Sequence, residues 1–593
     1  MMTVSRDPDV VWTLRRGLCA GTIAALTAAG AFAATATAQV QLVPTPGADS
    51  GTQQQQPEAP TLSAPEGIAV ESLDSVDAES VGALSGADAL SPDLWQGLNR
   101  ASIAALIDGL PSRIYYPAAR DLARRLLLSA ASIPPPDGDP PISVLRARVA
   151  ALARLGFAAD AAGLAASGSG ALTGMDGKRV LAEAQLSALD LPGACGTAAG
   201  VGPGAADTFW DKLLAFCQAV AGQGEIASLS AQTLLDLGEE DDLYFSLLDS
   251  LALGLGAETD GMTAGGPLHY AMLAVTEAPV PEDTDDSLIL SLAAQRGDDL
   301  GLAEQAALRG LISAEILAER YEAERFRDSA FDTPLEVLDR ISRPAARALI
   351  HQVLPRWDLP ALKAEAIAAA IRISREDGVL LATAPIFAEQ TRAIPATSDL
   401  VWFAEDAASL FYATGDIDRA RQWHGLLRSA ADTDAQAAAG DARLWHLAVL
   451  SGESGGALGR SRRGWAAAIE AADDRGAGRS SYLLGLVDAA VGGNTMSSDA
   501  DLRAAAMAAP AELGTGSSAL TLHLLARAAL ADRLGEAGAL SLAALAAAPP
   551  GDIAPQSVIA VVRTLQSVGL EGTARRLALE SAFLTAQPTP QSQ

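Results

Sequence analysis

Ala404-Glu405-Asp406-Ala407-Ala408-Ser409-Leu410-Phe411-Tyr412-Ala413-Thr414-Gly415-Asp416-Ile417-Asp418-Arg419-Ala420-Arg421-Gln422-Trp423-His424-Gly425-Leu426-Leu427 reads as two helices joined at a glycine. Leu400, Phe403, Ala404, Ala407, Ala408 and Phe411 recur at helical spacing, which makes one face apolar. Gly415 follows, where a left-handed residue ends a helix without steric cost. The run Ala408, Phe411, Gly415, Ala420, His424, Leu427 has the spacing of a tetratricopeptide-like helical hairpin. Small residues let the two antiparallel helices approach, and an apolar residue fills the groove between them.

The same spacing recurs outward along the chain. It runs through Val149, Leu152, Gly156 and Ala161, and through Ala215, Gln218, Gly222 and Ala227. It returns through Trp445, Ala448, Gly452 and Ala457, and through Val562, Leu565, Gly569 and Ala574. With 54 glycines in an Ala-rich chain, such pairs also arise by composition. The weight therefore rests on each glycine lying between two amphipathic segments. Trp210, Leu213, Leu214 and Cys217 share one helical face, with Asp207 placed to cap its start and Gly222 its end. Strand signals are nearly absent. The fold expected is all-α: a tetratricopeptide-like α-solenoid of antiparallel helical hairpins. Ala serves it twice, by helix propensity and by permitting close approach.

Composition narrows the function. Among 593 residues, 42 are Lys or Arg and 72 are Asp or Glu, a formal charge of −30. Such a chain is a poor ligand for nucleic acid, whose affinity comes largely from phosphate neutralisation, and for anionic lipid. At 49% hydrophobic residues it is not generally disordered.

The first residues read as an export signal. Arg15-Arg16 precede a weakly apolar run, Gly17 to Ala34, and Ala36-Thr37-Ala38 gives a small-x-small cleavage pattern before Gln39. Residues 1–38 are thus a signal peptide, and the mature protein is periplasmic, with no stable membrane insertion after cleavage. A retained anchor is the alternative. Residues 39–90 form a low-complexity spacer around Gln53-Gln54-Gln55-Gln56, expected to be disordered, with a docking segment from 67. The body divides into helical regions 91–275 and 276–587, and 588–593 is a tail.

Two cysteines remain after cleavage, Cys195 and Cys217, and export makes a disulfide between them the natural reading. No metal site or cofactor motif is found, and the histidines have no ligand partner at helical spacing. Gly452-Glu453-Ser454-Gly455-Gly456 matches the G-x-S-x-G pattern of serine hydrolases, but it lies in a turn between helices and not after a strand. Nothing in the sequence requires catalysis. Trp423-His424 and Trp445-His446 stand 22 residues apart on successive hairpins. With Trp402 they form a candidate partner groove, against the plainer reading of all five as core or rim packing.

Several stretches carry a resemblance. Gly67-Ile68 to Trp95, Leu122-Ala123-Arg124-Arg125-Leu126-Leu127-Leu128, Trp210 with Lys212, Phe216-Cys217-Gln218 and Gly222, and Gly569-Leu570 with Ala574-Arg575 together resemble a family of exported Ala-rich alphaproteobacterial proteins that bear the label "antifreeze glycopeptide". The resemblance implies export and brings no catalytic residues. The label follows composition: the nearest Ala-Ala-Thr run, Ala33 to Ala38, lies in the signal. The Ala content and export also look like the helical part of soluble lytic transglycosylases; those enzymes add a catalytic domain with a Glu-Ser motif, and although Glu580-Ser581 and Glu453-Ser454 are present, neither opens such a domain. The function expected is a non-catalytic periplasmic scaffold that binds a protein or peptide partner in the cell envelope. Peptidoglycan processing is the alternative. Deleting residues 39–66 is expected to leave folding and partner capture intact; loss of either removes the spacer reading.

Overall fold

A computed structural model describes residues 77–584, apart from 137–141, 282, 283, 285, 298, 457, 463, 473–476 and 492–515. The expected signal peptide, the expected spacer up to residue 76 and the tail lie outside the described residues. The chain from 74 onward forms one compact unit. Its described elements are helical and include no strand. None of these helices is long and apolar enough to cross a membrane.

The five glycines singled out as helix ends, Gly156, Gly222, Gly415, Gly452 and Gly569, all lie in the left-handed region, at φ between 76° and 86°. Each follows a helix and precedes another, as in Ala404–Thr414 and Ile417–Ala430. Ala161, Ala227, Ala420 and Ala574 are buried where the second helix meets the first. Asp207 caps Thr208–Val220 by accepting the Phe209 N–H at 3.1 Å.

The apolar interior falls into three clusters. One joins residues from 90 to 184 with residues from 338 to 584. A second holds residues from 182 to 289. A third holds residues from 290 to 386. Helices Gly266–Thr276 and Ser287–Arg296 pack against each other across position 275/276, so both flanks of that position belong to the one unit. Cys195 and Cys217 are bonded in the second cluster's lobe, with Cα atoms 5.7 Å apart. A loop with a sequence separation of 22 contributes about 3 kcal/mol by restricting the unfolded chain.

Residues 77–98 lie against the first helices. The Glu79 carboxylate accepts the Leu145 N–H at 2.7 Å and so caps Val144–Arg154. The buried Arg148 guanidinium donates to the carbonyls of Leu127 at 2.7 Å, Val81 at 2.7 Å and Ser129 at 3.1 Å. Its burial lowers its pKa to about 10. Further on, Arg347 donates to Glu304 Oε1 at 2.7 Å and to Asp377 Oδ2 at 2.6 Å, tying three helices through one buried fork.

Packing reaches beyond sequence neighbours. The last helix, Glu571–Leu584, touches Pro117–Leu128, Leu380–Thr391, Ala404–Thr414, Trp445–Leu450 and Ala477–Val491. Helix Leu534–Leu545 joins it against Pro117–Leu128, and the Gly535 N–H donates to the Leu94 carbonyl at 2.9 Å. A Cβ at Gly535 would stand 2.5 Å from the Trp95 ring, so only glycine fits. At the heart of this junction both oxygens of Glu580 accept the Ala118 N–H, at 3.0 and 2.9 Å. A carboxyl from residue 580 thus caps a helix that begins at Pro117.

Burial pushes the Glu580 carboxyl up to about 8, against the lowering effect of the Ala118 N–H and Arg576. The folded chain therefore holds a proton that the unfolded chain releases near pH 4.5. Stability from this group falls as pH rises from about 4.5 to about 8 and is level above that. Glu580→Gln keeps the carbonyl acceptor and cannot ionise. Thermal unfolding followed by circular dichroism is expected to show the variant losing less stability than the parent between pH 5 and pH 9. Equal losses refute this account of the cap.

Candidate functional site

The candidate groove residues go mostly inward. Trp423, His424, Trp445 and His446 are buried, and only Trp402, at 50% exposure, reaches solvent. These four therefore do not line a partner groove. The reason is helical phase: Ala420, Trp423 and Leu427 share the face that Ile417–Ala430 turns onto Ala404–Thr414. Trp423 meets Phe403 edge-on at 5.6 Å between centroids, and Trp445 meets Trp465 at 5.1 Å.

His424 belongs instead to a buried polar network. Tyr412 Oη donates to Glu453 Oε1 at 2.6 Å. His424 Nδ1 lies 3.0 Å from Tyr412 Oη, and its Nε2 lies 3.0 Å from Asp441 Oδ1 and 3.2 Å from the Asp441 carbonyl. Ser461 Oγ donates to Asp441 Oδ1 at 2.8 Å. Burial and the Glu453 carboxylate push the Tyr412 hydroxyl far above its ordinary range, so it keeps its proton. With that proton given to Glu453, Tyr412 ties the Glu453 turn to the helix that carries His424. Arg421 Nε stands 3.5 Å from Glu453 Oε2, and Arg428 Nε 3.9 Å from Asp441 Oδ1. The network orients two hairpins and the Gly452 turn.

Both carboxylates of the Glu-Ser pairs are thus engaged by the fold, Glu453 in this network and Glu580 as a helix cap. Ser454 is exposed while Glu453 beside it is buried. The G-x-S-x-G segment occupies a turn between Trp445–Leu450 and Leu458–Arg462. Among the described residues no group of three or more His, Cys, Asp or Glu side chains is placed to hold a metal ion.

One hollow of about 530 Å³ is lined by Ala314, Ala318, His351, Pro385, Ile386 and Gln390, among others. Gln390 Nε2 donates to the His351 carbonyl at 3.2 Å and faces His351 Nδ1 at 2.9 Å. The carbonyl fixes the amide orientation, so Nδ1 is an acceptor and the ring proton sits on Nε2. Burial lowers the pKa of His351, in keeping with a neutral ring. Pro385 lies inside Leu380–Thr391 and donates no backbone hydrogen bond there.

Several exposed apolar side chains lie together in the lobe of the second core. Helix Gly224–Asp236 buries Ala227, Ala231 and Leu234. Its other side exposes Ile226 at 50% and Leu229 at 69%, and Leu237 follows at 70%. Val220, Leu253 and Leu255 are also exposed. The start of this helix meets the end of Asp242–Leu253, where a Cβ at Gly224 would come 2.3 Å from the Ala252 carbonyl oxygen. Isolated exposed leucines are ordinary, but several on one hairpin mark an interaction face. Sequence reading missed this face because it sought a single apolar stripe per helix. The available signal was a second stripe, Ile226, Leu229 and Leu237, offset from the alanines.

No family model matches the chain, and neither a curated protein nor a solved structure matches it.

Tyr412→Phe strips Glu453 and His424 of a partner. It is expected to lower the unfolding free energy by about 1–3 kcal/mol in denaturant titration. Ser454→Ala, at an exposed turn, is expected to stay within about 0.5 kcal/mol of the parent. The reverse order removes the network from its structural role.

Proposed function

We propose that the chain is a non-catalytic periplasmic scaffold, a tetratricopeptide-like α-solenoid that binds a protein or peptide partner in the cell envelope. The observation that carries this reading is the exposed apolar side of Gly224–Asp236, on a helix whose opposite side is already packed. A soluble helix leaves such a stripe in water when something else covers it. The glycine-ended hairpins with buried alanines support the repeat reading. The last helix adds contacts that a neighbour-only array lacks, so the hairpins are locked where late helices meet early ones. Export is supported by Arg15-Arg16, the Gly17–Ala34 run and the Ala36-Thr37-Ala38 site, and by two cysteines at bonding distance.

Photo-cross-linking in cells tests the proposal. A cross-linking amino acid replaces Leu229 in one strain and the exposed Asp418 in another. The expected outcome is one envelope protein captured strongly from 229 and not from 418. Capture from neither position, with peptidoglycan fragments co-purifying, overturns the scaffold and moves the function to the cell wall.

A further inference from the structure

We infer that the exposed face of Gly224–Asp236 docks an amphipathic helix of a partner protein whose apolar stripe is bordered by Lys and Arg. This rests on the scaffold reading and names the partner's chemistry. Ile226, Leu229, Thr233 and Leu237 follow one another at i, i+3, i+7 and i+11, a stripe of about three turns, or roughly 16 Å. That is the length over which a docked helix presents its i, i+3/i+4, i+7 anchors. All four side chains are exposed. Glu225 and Asp236, also exposed, stand four residues before and seven after Leu229 and so border the stripe on one side.

Charge identifies the occupant. Between residues 180 and 295 there are eighteen carboxylates, and Lys212 and His269 are the only basic side chains. Lys212 is engaged by Glu239 and by Asp241, the latter at 2.9 Å, and His269 faces Asp241 at 3.1 Å. The border of the stripe, carried by the exposed Glu225 and Asp236, is therefore negative. A second copy would set this rim against its own like charges, and an anionic membrane would be repelled in the same way. A cationic helix gains from both parts of the surface: the leucines desolvate its apolar stripe and the rim pairs with its borders.

The probe is a synthetic peptide with Leu at i, i+3, i+4 and i+7 and Lys elsewhere. Its controls are a scrambled peptide of equal composition and a counterpart with Glu for Lys. Binding to the full mature chain is read by fluorescence anisotropy. The Lys helix is expected to bind about tenfold or more tightly than either control, a difference of about 1.4 kcal/mol. Added salt weakens it. Leu229→Asp lowers its affinity about tenfold, and Glu225→Lys with Asp236→Lys transfers preference toward the Glu peptide. All three positions are exposed, and unchanged melting shows that the variants fold. Equal binding of the scrambled peptide, or indifference to Leu229→Asp, overturns the inference. A partner cross-linked at 229 through an acidic or non-helical segment also overturns it while leaving the scaffold standing; absence of any captured partner overturns the scaffold itself.

Discussion

The capping of Pro117–Leu128 by Glu580 holds the rest of the architecture in register. A helix start leaves backbone donors unpaired, and here the acceptor comes from the last described helix. Around that bond, Glu571–Leu584 packs on helices from both halves, and Gly535 closes on Leu94 and Trp95. A stack of hairpins that touch only their neighbours has free ends. This junction instead joins the early helices and the latest ones in one core, 90–184 with 338–584. The carboxyl there is lodged where ionisation is disfavoured, so the junction is also where acidity acts on the fold.

Arginine does a share of the interior work that composition alone does not suggest. Lys178, Lys212 and Lys363 are the only lysines, so arginine carries almost all the positive charge. Inside the fold the guanidinium shape matters. Arg148 serves three carbonyls at 3.1 Å or less, Arg120 reaches the carbonyls of Leu155 and Gly310 and lies over the Phe157 ring at 4.0 Å, and Arg347 bridges Glu304 and Asp377. A single ammonium lacks the planar fork that reaches partners on separate elements. Small alanines bring helices close enough for these forks to span them.

The molecule separates its two kinds of surface. The first core carries Trp423, Trp445 and the Tyr412–His424–Asp441 network, all inward. The lobe of the second core carries exposed leucines and concentrated negative charge, braced by the Cys195–Cys217 bond.

Helical class, the glycine turns and the pairing of the two cysteines were legible in the chain. Each depends on residues a few positions apart, or on the two cysteines that follow the expected signal. The periodicity at Phe411, Gly415 and Ala420 states a hairpin whatever surrounds it. Aromatic pairs such as Trp423-His424 read equally as groove or core, because spacing gives a helical face but not what that face meets. Their burial, the seat of Glu580 on Ala118 and the open side of Gly224–Asp236 were decided only by tertiary structure. The physical reason is separation: the partners that bury one face and leave another bare lie as far apart as residues 118 and 580, and no local pattern records such a contact.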